Sequence, residues 1–155
     1  MKPGDRLIAV FVNRQDVGTR FSSWLLHVTI VPWFRLPDKT EVIVSGLKGA
    51  LSCEIPFELF SGEVALFGIQ KDRPATLIVE SDAIIRVEQK IRGYLMKKRA
   101  WIVDTTTRRS YTFRPHVTFQ AQERLSGGEK FLCDRVYVVE QIGNYKEIVG
   151  EVILG

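Results

Sequence analysis

The chain has 155 residues, 45% hydrophobic and 26% charged. This is the ordinary composition of a soluble globular protein, enough for one domain with a real core or two small lobes sharing one. No apolar run approaches the roughly 18 residues of a membrane span, and Leu7 to Val12, behind Met1-Lys2-Pro3-Gly4-Asp5, is too short for a secretory signal. A cytoplasmic, monomeric protein with no membrane partner is therefore expected, occupying residues 1–155 as a single domain. A net charge of +4 is a mild lean toward polyanionic ligands and not a nucleic-acid signature by itself.

In chain order, Leu7 to Val12 reads as a buried strand and Asn13 to Ser23 as a loop. Trp24 to Val31 reads as a second strand, stopped by Pro32 and Pro37. Asp38 followed by Glu41 has the spacing of a capping box, and Val42, Ile43, Leu47, Ala50 and Leu51 then share a helical face. Gly46 and Gly49 weaken that helix. Cys53 to Phe60 and Glu63 to Ile69 read as strands joined through Ser61-Gly62, and Ala75 to Glu80 as another. Ser81 can cap a longer helix with Ile84, Val87, Ile91 and Leu95 on its apolar face. Its basic end, Lys97-Lys98-Arg99, suits the helix dipole. Trp101 to Arg109 reads as a loop or a loosely paired segment, and Tyr111 to Gln120 as a strand interrupted by Pro115. Asp134 to Ile142 and Lys146 to Leu154 read as a hairpin turning at Gly143-Asn144. Helices and strands do not alternate regularly, which favours an α+β fold. The two cysteines, Cys53 and Cys133, have no metal-type spacing and read as buried free thiols.

One pattern occurs twice: His27-Val28-Thr29-Ile30 and His116-Val117-Thr118-Phe119. These are the chain's 2 histidines. With Thr as infrequent as it is here, chance puts one two places after both histidines only about 0.3% of the time. On a strand, residues i and i+2 project from one face, roughly 6.5–7 Å apart. Each strand therefore offers an imidazole beside a hydroxyl, with Val28 and Ile30, or Val117 and Phe119, packing behind. An imidazole can give or take a proton near neutral pH, and a Thr hydroxyl can donate to a phosphate oxygen. An isolated His-x-Thr is ordinarily structural. Two matching copies that use every histidine in the chain point to a phosphate held between two proton-transfer groups.

In these twin motifs the chain resembles the two-histidine (2H) phosphoesterase superfamily, which includes the RNA 2′,3′-cyclic phosphodiesterase/2′–5′ RNA ligase family. Val31-Pro32-Trp33-Phe34 after the first motif and Phe113-Arg114-Pro115-His116 entering the second are also similar, and the order of elements extends the likeness over most of the chain. The implied fold is bilobal and α+β, with duplicated antiparallel sheets related by a pseudo-twofold axis around a central cleft and helices outside. Too few residues separate the first strand from His27 for the helix found there in larger members, so the resemblance is nearer to compact bacterial proteins of this type.

The resemblance implies hydrolysis of a 2′,3′-cyclic phosphate or a related 2′–5′ phosphodiester, with RNA ends or a cyclic nucleotide as substrate. His116 is then the base and His27 the acid, and Thr29 and Thr118 bind the non-bridging oxygens. Run in reverse, the same pair could join such ends to a 5′-hydroxyl. Arg114 shares strand parity with His116 and is a further phosphate-binding candidate, with Arg124 a weaker one. Trp33 and Phe34 are candidates for base stacking, while Trp24 has the parity of Leu26 and Val28 and reads as core. No cofactor is implied, and two histidines with scattered carboxylates make no metal set. Leu125-Ser126-Gly127-Gly128-Glu129 resembles the ATP-binding cassette signature, but no Gly-x-x-x-x-Gly-Lys loop accompanies it, so it reads as a turn. The competing readings are an RNA- or nucleotide-binding or ligase-type protein on the same fold with little hydrolytic turnover, and a domain that mainly contacts another protein.

Overall fold

The computed structural model describes residues 1–103 and 112–155. Its elements are β1 (Arg6–Phe11), β2 (Arg20–Phe21), β3 (His27–Arg35), α1 (Thr40–Ala50), β4 (Phe57–Phe67), β5 (Arg73–Ile78), α2 (Asp82–Lys97), β6 (Trp101–Ile102), β7 (His116–Thr118), β8 (Lys130–Cys133), β9 (Arg135–Ile142) and β10 (Tyr145–Ile153). Among the described residues the strands run β2-β10-β9-β1-β3-β7-β5-β4-β8, with β6 on the end of β3. Each of these neighbouring pairs is antiparallel. The two motif strands, β3 and β7, meet in the middle. Each is flanked on its far side by a strand of 6 residues, β1 or β5. The α+β class holds, and the two halves join through β3 and β7 into one continuous ladder.

The core follows from side-chain alternation. Ile8 and Val10 of β1, Val28 and Ile30 of β3, and Val117 of β7 point to one face and are buried with Ile43 and Leu47 of α1 and Ile84, Val87, Ile91 and Leu95 of α2. The opposite face carries a smaller cluster of Phe11, Tyr137, Val139 and Ile148, flanked by Phe21, Trp24, Leu25 and Trp33. With both faces covered, β1 is buried along its whole length. Ser81 caps α2 as its sequence implies, accepting from the Ile84 amide at 3.4 Å. Gly46 is required by the crossing of α1 and α2. A Cβ there would stand 2.2 Å from the Tyr94 ring, so the residue that weakens α1 in isolation lets Tyr94 lie across it.

Several expectations are corrected. The second strand begins at His27, not Trp24, and runs through Pro32 to Arg35. Its pairing with β1 shifts register opposite this stretch, and a proline without an N–H is tolerated at such an irregularity. Helix α1 starts at Thr40 behind Lys39 with no side-chain cap, so Asp38 and Glu41 form no capping box. Asp38 instead lies 3.5 Å from Lys98, in keeping with a structural role for that basic cluster. Ser61-Gly62 is not a turn but part of the single strand β4, at a register shift between Ser61 and Val64. There the Ser61 hydroxyl bonds to Ser126 O and accepts from the Glu129 amide at 2.8 Å, fastening the Gly127-Gly128 turn to the strand. Of the two free cysteines, Cys133 is buried but Cys53 is exposed. The motif strand proper is only His116–Thr118, whereas the brief pairing of Trp101–Ile102 as β6 agrees with a loosely paired segment; Arg109 and Tyr111 lie outside the described residues.

Phe34, a base-stacking candidate by sequence, has no exposed surface and belongs to the helix-side core. It offers no ring face to a ligand. Phe34→Ala should therefore lower the unfolding free energy by about 3–5 kcal/mol, the usual cost of emptying a buried aromatic site. Urea unfolding of the variant checks this.

Candidate active site

The centre of the sheet is fixed by one pairing, Val28 with Val117. Both are wholly buried among the helices. Carried one residue either way, the antiparallel register sets His27 across from Thr118 and Thr29 across from His116. All four side chains then leave the sheet on the face opposite the helices, as two His-Thr pairs arranged head to tail. Directly opposed side chains in such a ladder have Cβ atoms about 5 Å apart, and diagonal ones about 7–8 Å. The two histidines occupy a diagonal, a separation that spans one phosphate. All four residues are partly buried.

The two imidazoles are held alike. His27 Nδ1 lies 2.7 Å from the Leu25 carbonyl, and His116 Nδ1 lies 2.7 Å from the Arg114 carbonyl. A carbonyl only accepts, so in each ring Nδ1 carries the hydrogen and Nε2 is left for other work. Each ring is also stacked on an aromatic side chain: His27 on Trp24 at 4.3 Å and 29°, His116 on Phe67 at 3.8 Å and 17°.

Burial dominates their proton affinity. Loss of solvent pushes His27 down to about 4, against the support of its Leu25 bond and with the charge of His116 acting in the same direction as burial. His116 is also lowered, first by burial and then by the neighbouring Arg114 charge, with its own carbonyl bond opposing. At neutral pH both rings of the free protein are uncharged.

Arg114 is exposed, and its guanidinium lies 5.0 Å from the Phe67 ring centroid, beside the His116 stack. Arg124 lies 5.7 Å from Phe119, a residue whose parity is that of Val117 rather than His116. Trp33 is partly buried on the histidine side, 6.1 Å from Trp24. Trp24 and Phe67 are site residues that the sequence does not mark. Trp24 lies just outside the strand, so parity counted back from Val28 does not apply to it, and Phe67 is far from either motif in sequence. Among the described residues no group of three or more His, Cys, Asp or Glu is placed to hold a metal ion, and no helix is long and apolar enough to cross a membrane.

A family model described as the 2′-5′ RNA ligase superfamily matches residues 8–141, a span that includes both motifs. The chain belongs to the 2′-5′ RNA ligase superfamily. This bears out the resemblance carried by the twin motifs. Three solved structures show the same fold. One, titled as a phosphoesterase, is 12% identical with a TM-score of 0.63, covering 98% of this chain and 99% of its own. Escherichia coli LigT with 3′-AMP is 11% identical with a TM-score of 0.60, covering 99% of both chains. TT0787 of Thermus thermophilus is 13% identical with a TM-score of 0.58, covering 97% of both. At such identities the likeness is one of fold. No curated protein matches the chain by sequence.

The lowered His27 value sets a pH dependence of stability in this superfamily member. The unfolded ring, near 6.5, takes up a proton more readily than the folded one. Stability is therefore fully present above about 6.5 and is lost as pH falls toward 4, by on the order of 3 kcal/mol. His116 adds a loss of the same sign. Urea unfolding between pH 7 and 4 should show this decline, and His27→Phe should flatten it.

Proposed function

We propose that this chain is a hydrolase of 2′,3′-cyclic phosphates, on RNA ends or nucleotides, with His27 and His116 as its paired acid and base. The observation that carries the reading is the Val28–Val117 register, which sets two His-Thr pairs head to tail on one face. Superfamily membership supports phosphoester chemistry. E. coli LigT, which shares the fold, has been crystallised with 3′-AMP and with phosphate, and a nucleotide and an inorganic phosphate in that fold support a phosphate-binding site.

On this reading the phosphodiester anion lies between the two Nε2 atoms. Thr29 and Thr118 donate to its non-bridging oxygens, and Arg114 adds positive charge at the His116 end. His116 takes a proton from water as that water attacks phosphorus. The ribose 3′-oxygen leaves on the opposite side and takes a proton from His27, giving a 2′-phosphate. The acid must hold a proton that burial removes from it in the free protein. The bound anion supplies the compensation, because an opposite charge at close range favours the protonated ring. Trp33, on the same face, is the aromatic side chain offered to a base.

Replacing either histidine by Ala should lower kcat by roughly 10²–10⁴, and the double variant should lose less than the product of the two. Near-native turnover in either single variant removes the paired mechanism. His27→Ala should lose far less on a p-nitrophenyl phosphodiester, whose leaving group needs no acid, and an equal loss on both substrates would move the acid role away from His27. Activity should also survive excess EDTA. Loss on chelation with recovery on adding a divalent ion would reveal a metal requirement.

A further inference from the structure

Behind the two histidines stands a second correspondence that the motifs do not contain. Trp24 is stacked on His27, and the Lys146 ammonium lies 5.3 Å from the same indole. Phe67 is stacked on His116, and the Arg114 guanidinium lies 5.0 Å from that ring. Each imidazole is thus one member of a cation, aromatic ring and imidazole assembly. The four supporting residues come from unrelated places in the chain: the loop before β3, the start of β10, the end of β4 and the segment before β7. Lys146 is the more unusual of the two cations. It is buried, and its ammonium donates to the Ser22 carbonyl at 3.3 Å with the indole as its other neighbour.

We propose that Trp24 and Phe67 are positioning residues for the two-histidine site, each braced by its own cation, Lys146 or Arg114. The inference rests on the acid–base roles proposed for His27 and His116. A carbonyl bond at Nδ1 decides which way round an imidazole faces but leaves its plane free to tilt about that bond. An aromatic surface against the ring fixes the plane. Together they aim Nε2 in one direction, which neither does alone. The cation is attracted to the ring quadrupole and holds the aromatic side chain in turn. Across strands, His27 also meets Phe11 of β1 at 5.9 Å, and His116 meets Leu77 of β5. Among the described residues, the charged or titratable groups facing His27 are His116 on β7 and, through Trp24, Lys146 on β10. Those facing His116 are Arg114 and His27. All are basic, so loosening either assembly admits water and eases protonation of its own ring.

With only 2 histidines in the chain, nitrogen-15 and proton NMR can follow each ring through a pH titration, with and without inorganic phosphate. Wild type should show both rings hydrogenated at Nδ1. Trp24→Leu should raise the His27 pKa by at least about one unit and give mixed tautomers there, leaving His116 as it was. Phe67→Leu should do the reverse. Trp24→Phe, which keeps a ring, should restore the His27 pattern. Lys146→Met should raise the His27 pKa without touching His116, and it decides the matter if Trp24→Leu does not fold. Unchanged His27 signals in folded Trp24→Leu or in Lys146→Met would overturn the proposal for that half, as unchanged His116 signals in Phe67→Leu would for the other. In turnover of a 2′,3′-cyclic mononucleotide, both Leu variants should lose about tenfold to a hundredfold in kcat, the usual cost of a displaced reacting group, with KM nearly constant. A loss confined to KM would also overturn it, since that marks substrate contact instead. If wild type turns over no such substrate, the proposed function fails while the NMR comparison still decides the positioning role.

Discussion

Val28 opposite Val117 is the contact on which the arrangement of the site depends. Both side chains are wholly buried on the helix side of the sheet, packed with α2 and β1. Because strand side chains alternate, burying these two valines forces the residues on either side of each to the other face. A slip of one residue in either strand would drive its histidine into the core and its valine out of it, so hydrophobic burial holds the register against such an error. The direction of pairing matters as much as its register. In an antiparallel pair the His-Val-Thr order of one strand runs against that of the other, so each imidazole meets a hydroxyl and the two imidazoles occupy a diagonal. Two ordinary valines thereby set the separation of two reactive groups that are distant in sequence.

Much of this is legible in the sequence. The alternation in each His-x-Thr-x copy is local, and it shows which side chains share a face whatever the strand packs against. The apolar faces of α1 and α2 and the terminal hairpin are legible for the same reason, since 3.6- and 2-residue periods are written in adjacent residues. The misreadings concern partners. Pro32 reads as a stop because it has no N–H, yet β1 shifts register opposite it and asks for no bond there. Ser61-Gly62 reads as a turn by composition, but the Ser61 hydroxyl is taken up by the 126–129 segment and the strand runs on. Phe34 reads as available because it follows Trp33 beyond the motif, whereas alternation turns it into the core and turns Trp33 toward the histidines. Trp24 and Phe67 carry no local signal at all, because what brings them to the imidazoles is the path of the chain in three dimensions.

The site is assembled from groups that oppose charge on the histidines. Apolar and aromatic surroundings remove water from both rings, and the nearby charged groups, Arg114 and Lys146, are cations. Such a site is poor at holding protons when empty and well suited to an anion, since a bound phosphodiester would repay the missing solvation of both rings at once. The same dehydration makes the fold sensitive to acid, because protonating His27 costs the folded state what it does not cost the unfolded one. On the proposed function, ligand preference and acid lability therefore have one physical origin.

Twofold correspondence alone cannot assign the acid and the base, because the motif strands, the carbonyl anchors and the aromatic supports are equivalent under it. The roles can differ only through what breaks the correspondence. His27 is the more strongly depressed of the two, backed by an indole and a buried lysine within an aromatic cluster. His116 stands beside an exposed arginine on a smaller ring. Solvent water therefore has its easier approach at the His116 side, while the aromatic side chains that could hold a nucleoside, Trp33 above all, gather at the His27 side. On the proposed function, a nucleoside seated there would bring its departing ribose oxygen to His27 and leave the attacking water to His116. That order matches the roles the family resemblance implies, and it is reached from the surroundings of the two rings rather than from the motifs they share.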